Sequence, residues 1–294
     1  MVACGVFGAG GADLTACAAG DRFAEAPNHP LEPYPMADNP LALQVFSVRN
    51  EFKADPAGTL KRVADIGYGA VEFFGAPNHE PDELRQFLDA AGLQCCGWHW
   101  PYDLFADDKL DEAIAFHQAL GNRFAVVPAI PEELRRSRAD WLALAKRFNQ
   151  LAAHLAEHGL ATGYHNHHVE FAPLEGEMPW DTFFSNTDDR VIMQLDMGNA
   201  ARGGADVVDI LRRYPGRGTL IHHKPYSQRA GKDDPAAGYR PVIGEDDLDW
   251  PTIIELCRTT AGTQWHIVEY ESDAYEPFEA VEKCLHALNG FGLR

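Results

Sequence analysis

The chain lacks any apolar run of about 18 residues or more, so nothing in its 294 residues reads as a bilayer-spanning helix. Basic residues are scarce. Against 44 Asp+Glu stand 25 Lys+Arg, a formal net charge of −19, which excludes the Lys/Arg patches that nucleic acid and anionic membranes require. The six cysteines (Cys4, Cys17, Cys95, Cys96, Cys257 and Cys284) form no Cys-x-x-Cys pair, and the adjacent Cys95 and Cys96 point to opposite sides of any strand. Reduced, mostly buried thiols in a reducing compartment are the expectation, hence a cytoplasmic protein. A glycine-rich phosphate turn is missing as well. Ser47-Val48-Arg49-Asn50 closes the first strand, and Gly8-Ala9-Gly10-Gly11 is not a G-x-G-x-x-G.

What is present is an ordinary globular composition, 46% hydrophobic, on a chain long enough to bury a full core. Residues 1–20 are rich in Gly and Ala but carry no positively charged start. Leu14-Thr15-Ala16-Cys17 faintly resembles a lipoprotein cleavage box, which makes export through Cys17 the alternative localisation, although Asp13 fits that motif badly. Residues 21–40 hold five prolines, so 1–40 is expected to be an extended or disordered leader.

From Leu41 a strand–helix rhythm sets in. Short apolar runs at 41–48, 70–74, 93–98, 123–128, 161–167, 191–197, 218–223 and 264–269 predict strands. Amphipathic segments after Asp55 and at 81–91, 110–120, 140–158, 179–185, 207–214, 250–257 and 278–288 predict helices. Eight such units in one domain, 41–294, predict an α/β fold, a (β/α)8 TIM barrel.

In such a barrel chemistry sits at the C-terminal ends of the strands. Those ends supply Glu72, His99, then His165, Asn166, His167, His168 and Glu170, then Asp196, then His222, His223 and Lys224, and finally Glu269 and Glu271. Carboxylates and imidazoles converging on one mouth repel or desolvate each other unless a cation neutralises them. Nitrogen and oxygen donors without thiolate suit Mn²⁺, Mg²⁺, Co²⁺ or Zn²⁺, with Mn²⁺ the leading choice. The best ligand set is one residue from strand five (His165, or alternately His167) with Asp196, His222 and Glu269. The same strand ends nominate catalytic groups, Glu269, His167, Glu170 and Lys224. Substrate contacts are expected from Glu72, His99, Trp98, Trp100, His223 and Asn199, the tryptophans offering ring faces to sugar C–H groups. No anion nest or Arg cluster is visible for a phosphate.

Several segments carry a resemblance. They are Leu43-Gln44-Val45-Phe46-Ser47-Val48-Arg49, Ile66-Gly67-Tyr68-Gly69-Ala70-Val71-Glu72, Gly163-Tyr164-His165-Asn166-His167 with Glu170-Phe171, Leu195-Asp196-Met197-Gly198-Asn199-Ala200, His222-His223-Lys224, Ile243-Gly244-Glu245 with Asp249-Trp250, and Val268-Glu269. Through them the chain from Leu41 onward resembles the xylose isomerase-like TIM-barrel superfamily, in its sugar phosphate isomerase/epimerase branch near inosose dehydratase-like proteins. The resemblance implies one divalent metal held by Glu, Asp, His and Glu on strands five to eight. It transfers to His165, Asp196, His222 and Glu269, with His in place of the first Glu. It further implies a small-molecule sugar or keto-polyol substrate and assembly into homo-oligomers. The reaction it implies is isomerisation or epimerisation by proton abstraction next to a carbonyl, through an enediolate that the metal stabilises. The alternative is dehydration by a lyase of the inosose dehydratase kind. The substitution at strand five keeps that alternative close, because a two-base epimerase needs both glutamates.

Overall fold

The computed structural model describes residues 40–293, so the leader expected over 1–40, with Cys17, lies outside the described residues apart from Pro40. Eight parallel strands follow: β1 (Leu41–Gln44), β2 (Ala70–Phe74), β3 (Gln94–His99), β4 (Phe124–Val127), β5 (Ala161–His165), β6 (Ile192–Gln194), β7 (Leu220–His223) and β8 (Trp265–Val268). Ten helices accompany them: α1 (Arg49–Ala54), α2 (Pro56–Ile66), α3 (Pro81–Ala91), α4 (Leu110–Leu120), α5 (Arg138–Glu157), α6 (Pro179–Phe184), α7 (Met197–Arg202), α8 (Val207–Arg213), α9 (Trp250–Leu256) and α10 (Pro277–Gly290). The strands pair in the order β6-β5-β4-β3-β2-β1-β8-β7. The remaining seam, between β6 and β7, is held by one parallel bridge, Asp196 to His222, with the His222 amide donating to the Leu195 carbonyl at 3.0 Å. This is the expected (β/α)8 barrel, closed at its last seam by two of the predicted metal ligands. No helix among the described residues is long and apolar enough to cross a membrane.

Strand side chains alternate between the barrel interior and the helix layer. Ala42, Ala70, Phe124, Ala161, Ile192, Leu220, Trp265 and Ile267 belong to one small buried cluster, the floor of the barrel. Their alternating partners, among them Leu43, Val71, Ala125, Tyr164, Met193, Ile221 and Val268, belong to the larger core beneath the helices. Two residues further along β1, β2, β6 and β7 the inward positions turn polar: Gln44, Glu72, Gln194 and His222, all fully buried. In β3 a register shift opposite Val71 and Glu72 brings Gly97 level with Glu72. A Cβ on Gly97 would lie 2.8 Å from Glu72 Oε1, so glycine makes room there for a buried carboxylate.

Local chemistry explains where the elements depart from expectation. The first strand stops at Gln44 rather than running to Val48, because Gln44 Oε1 accepts the Phe46 amide at 3.1 Å and turns the chain into a 3-10 turn, Val45–Val48, and then α1. The sixth strand stops at Gln194, and Asp196 caps α7 by accepting the Asn199 amide at 2.6 Å. The expected long helix α5 carries a full capping box, Ser137 with Asp140. The four described cysteines are unpaired thiols, three buried and Cys95 half-buried.

Candidate metal centre

The four predicted ligands meet. His165, Asp196, His222 and Glu269 each bring one donor atom within 4.8 Å of the other three, at the C-terminal mouth, and all four are buried. His222 Nδ1 lies 2.7 Å from Glu269 Oε2, and His165 Nε2 lies 3.8 Å from Asp196 Oδ2. Asp196 uses its two oxygens differently. Oδ1 caps α7, while Oδ2 has no hydrogen-bond partner among the described residues, and neither does His165 Nδ1. Buried polar atoms without partners are costly. Asp196 Oδ2 lies among four convergent donors, as a bound cation requires.

Electrostatics point the same way. Burial pushes the Asp196 carboxyl up to about 7, with the Lys224 ammonium opposing and Glu269 reinforcing. Burial disfavours the charged form of His222, yet the Glu72 carboxylate and the bond to Glu269 outweigh it and hold the imidazole at about 10. Burial is the main cause at Asp196, whereas Glu269 moves the other way: burial opposes its charge, but Lys224 and His222 hold it well below the usual carboxylate range, so a charged carboxylate stands in a buried site. The residues present therefore fit a divalent ion bound by nitrogen and oxygen.

Glu72 lies one layer deeper, completely buried. One oxygen accepts from Gln44 Nε2 at 2.7 Å and contacts His222 Nε2 at 2.6 Å; the other accepts from Gln194 Nε2 at 2.6 Å. His99 Nε2 is 3.2 Å away, its ring stacked 5.0 Å from that of His222 at 12°. Glu72 thus holds His222 Nε2 and presents Nδ1 to the quartet, the carboxylate–histidine arrangement that orients metal-binding imidazoles. Both its oxygens are engaged by Gln44, His222 and Gln194, so in place of the predicted substrate contact it takes a supporting position behind His222, a candidate ligand. His99 remains beside the site, its ring 4.5 Å from His165, and forms a second trio with His165 and His222. Replacing Glu72 by Gln removes the anion but keeps the shape. Metal affinity is expected to fall roughly 10–100-fold, measured by competition with a chelating dye; unchanged affinity would show that Glu72 does not tune His222.

Lys224 crowns the quartet. Its Nζ lies 3.3 Å from Glu269 Oε1 and 3.8 Å from Asp196 Oδ2, and it also pairs with Glu271. Burial works against the ammonium, but these three carboxylates hold its pKa well above the usual lysine range. Tyr239 covers it, with the ring 5.5 Å from Nζ, and the Tyr239 hydroxyl donates to Asn199 Oδ1 at 2.7 Å. His167 stands at the exposed rim, 5.5 Å ring to ring from His165.

Other predicted site residues are placed elsewhere. Glu170 is buried, with Oε1 accepting the Tyr164 hydroxyl and Oε2 accepting the His167 amide, both at 2.7 Å. It braces the loop after β5, with both oxygens engaged within the β5 region rather than directed at the quartet. Asn199 likewise braces, its Nδ2 donating to the Asn166 carbonyl at 3.2 Å. Trp98 and Trp100 point into the helix layer rather than the mouth. Trp98 packs on Phe73 and Phe116 and donates to the Gly75 carbonyl at 2.8 Å; Trp100 packs on His117, 4.4 Å between centroids. His223 also faces outward, against His266 and Trp250. The predicted substrate contacts at Trp98 and Trp100 are therefore corrected to packing positions, and His223 is turned away from the mouth. Trp98→Ala is expected to cost about 3–5 kcal/mol of stability by denaturant melts while leaving KM unchanged at low temperature; a raised KM with unchanged stability would return Trp98 to the site.

Sequence reasoning missed Gln44 and Gln194, which complete the cage around Glu72, and gave Asn166 no role. Asn166 Oδ1 accepts the Asp196 amide at 2.8 Å and its Nδ2 donates to the Asp196 carbonyl at 3.0 Å, fixing the backbone of one ligand. The signal for the glutamines was available in the period of two along β1 and β6.

A model of the xylose isomerase-like TIM barrel family matches residues 60–289. The chain belongs to that family. Similar curated members are the rhizopine catabolism protein MocC of Rhizobium meliloti, 26% identical over 73% of this chain and 74% of that protein, and inosose dehydratase of Histophilus somni, 25% identical over 73% and 82%. Solved structures with this fold include a sugar phosphate isomerase/epimerase from Parabacteroides distasonis (TM-score 0.75, 24% identity, covering 87% of this chain and 96% of that one). An L-ribulose 3-epimerase also matches (TM-score 0.62, 16% identity, 87% and 94% covered). Several of these similar proteins are named as sugar isomerases, epimerases or dehydratases.

Proposed function

We propose that this chain is a metal-dependent lyase that eliminates water from a keto-sugar or cyclic keto-polyol. One observation carries the reading. At the mouth the Glu269 carboxylate stands beside the Lys224 ammonium, Oε1 to Nζ 3.3 Å, while the strand-five position is an imidazole. The inosose dehydratase relatives support it. A divalent cation in the quartet supplies Lewis-acid polarisation of the substrate carbonyl. Glu269 then takes the proton from the neighbouring carbon. The β-carbon–oxygen bond breaks, and the leaving hydroxyl takes a proton from Lys224, giving water and an enone. Glu269 returns its proton to Lys224 across the short gap. Because acid and base are neighbours, both act on one face of the substrate, and the elimination is syn. Three carboxylates already surround the buried Lys224 ammonium. A phosphate dianion would be repelled there, which favours a neutral polyol.

Isomerisation or epimerisation is the second reading. What favours it is the pair of imidazoles, His165 and His167, across the quartet from Glu269; burial holds His165 well below its ordinary pKa and so in the basic, neutral form. Incubation of the manganese-loaded protein with cyclic and linear keto-polyols in D₂O separates the two. Loss of one water in the mass spectrum with new enone absorbance is the expected result; deuterium uptake with all oxygens retained would overturn it in favour of the second reading.

A further inference from the structure

A second group of ligand-type side chains occupies the opposite face of β7 and β8 and shares no residue with the mouth. His223 of β7, His266 of β8 and Cys257, the first residue of the π turn Cys257–Ala261 after α9, each bring a donor atom within 4.8 Å of the other two, and all three are buried. His223 Nε2 lies 2.8 Å from His266 Nδ1, with the rings stacked at 5.0 Å and 17°. His223 is completely buried, yet its Nδ1 has no hydrogen-bond partner among the described residues. The surrounding layer is apolar, with Trp250 5.7 Å from the His223 ring and Ile253, Ile254 and Ala261 in the same core. Ordinary packing there calls for aliphatic side chains. Two imidazoles and a thiol converging from three separate elements are a donor set instead.

We propose that His223, Cys257 and His266 form a second cation site, selective for a thiophilic ion such as Zn²⁺ or Cu⁺. The donor chemistry separates the two centres. One thiolate and two imidazoles favour soft or borderline ions, whereas the quartet at the mouth is built of nitrogen and oxygen alone and suits harder ones. A π turn inserts an extra residue into the helix path and is enriched at functional positions; here it carries the sulfur. An ion held by the trio ties β7, β8 and the end of α9 together. Since β7 and β8 present His222 and Glu269 on their other faces, the same ion firms the strands that carry two of the mouth ligands. Binding requires the thiolate, so each ion taken up releases a proton.

Cobalt(II) is the probe that reads this site directly, because thiolate ligation produces a sulfur-to-cobalt charge-transfer band in the near ultraviolet and carboxylate or imidazole ligation does not. Chelator-stripped full-length protein titrated with Co²⁺ is expected to bind one equivalent beyond the mouth site and to develop that band, which added Zn²⁺ then abolishes. Cys257→Ser and, separately, His266→Gln are expected to lose both the band and the extra equivalent, with the circular dichroism of the folded barrel retained. Asp196→Ala should keep the band, since it touches only the mouth. Absence of the band in the unmodified protein overturns the proposal whatever the variants do. A band of equal strength in Cys257→Ser also overturns it, because another cysteine would then be the ligand.

Discussion

Asp196→Asn is expected to purify without its divalent ion and without measurable turnover, yet to remain folded. The substitution is chosen because Asp196 performs two tasks with two oxygens. Oδ1 caps α7 through the Asn199 amide, and an asparagine oxygen can continue to accept that bond. Oδ2 faces the quartet without a hydrogen bond of its own, 3.8 Å from both Lys224 Nζ and His165 Nε2, and the amide removes its carboxylate charge. Asp196→Ala should lose the metal equally and in addition forfeit the cap, about 1 kcal/mol. The position has structural weight too. Asp196 and His222 form the bridge between β6 and β7, the one seam of the barrel without a full ladder. An ion bound to both residues staples that seam. Saturating the native protein at 100 times Kd should therefore raise its stability by about 2.7 kcal/mol, and neither variant should show that rise. Elemental analysis finding a full equivalent in both variants would remove Asp196 from the ligand set. A seam that exchanges amide hydrogens equally fast with and without metal would remove the stapling argument.

Much of this site was legible from residue order, and the misreadings have a common cause. The barrel followed from eight apolar runs spaced by amphipathic helices, and the quartet from the ionisable groups at successive strand ends. What failed was parity. Consecutive strand residues face opposite ways, so His222 and His223 cannot share a site, and Trp98 and Trp100 must lie on the side of β3 opposite His99. That rule excludes both tryptophans and His223 from the mouth once His99 and His222 are placed inside it. Parity within β3 was harder to assign, because the register shift before Gly97 appears only when β2 and β3 are paired. Glu170 was misassigned for a different reason. Its partners are a tyrosine hydroxyl from the outward face of β5 and a backbone amide of its own loop, and no spacing rule announces either. Gln44 and Gln194 are the last residues of β1 and β6, but their neutral amide side chains do not stand out beside the ionisable groups, and their part in holding Glu72 shows only once the strands are brought together.

The proposed division of labour between Glu269 and Lys224 predicts two different failures. Glu269→Gln should lose proton abstraction altogether, so that neither substrate loss nor exchange of the neighbouring hydrogen with D₂O survives; general-base removal costs roughly 10²–10⁴-fold. Lys224→Gln should leave abstraction in place and block departure of the β-oxygen. With departure blocked, the carbanion can only be reprotonated, and because the proton held by Glu269 exchanges with D₂O first, deuterium should enter unreacted substrate while water loss falls by roughly the same 10²–10⁴-fold. Lys224 also balances Asp196, Glu269 and Glu271, and its loss leaves three carboxylates facing one another. The bound divalent ion compensates two of them, so the measurement belongs at saturating metal, where elemental analysis confirms that both variants are loaded. If Lys224→Gln eliminates water at the native rate, the acid lies elsewhere and His167, at the rim beside His165, becomes the group to change. If both variants lose exchange and elimination together, Lys224 holds Glu269 in position rather than protonating the leaving group. Rescue by Lys224→Arg would then distinguish that positioning role, since a guanidinium restores the ion pair to Glu269 but is too weak an acid to serve the departing oxygen.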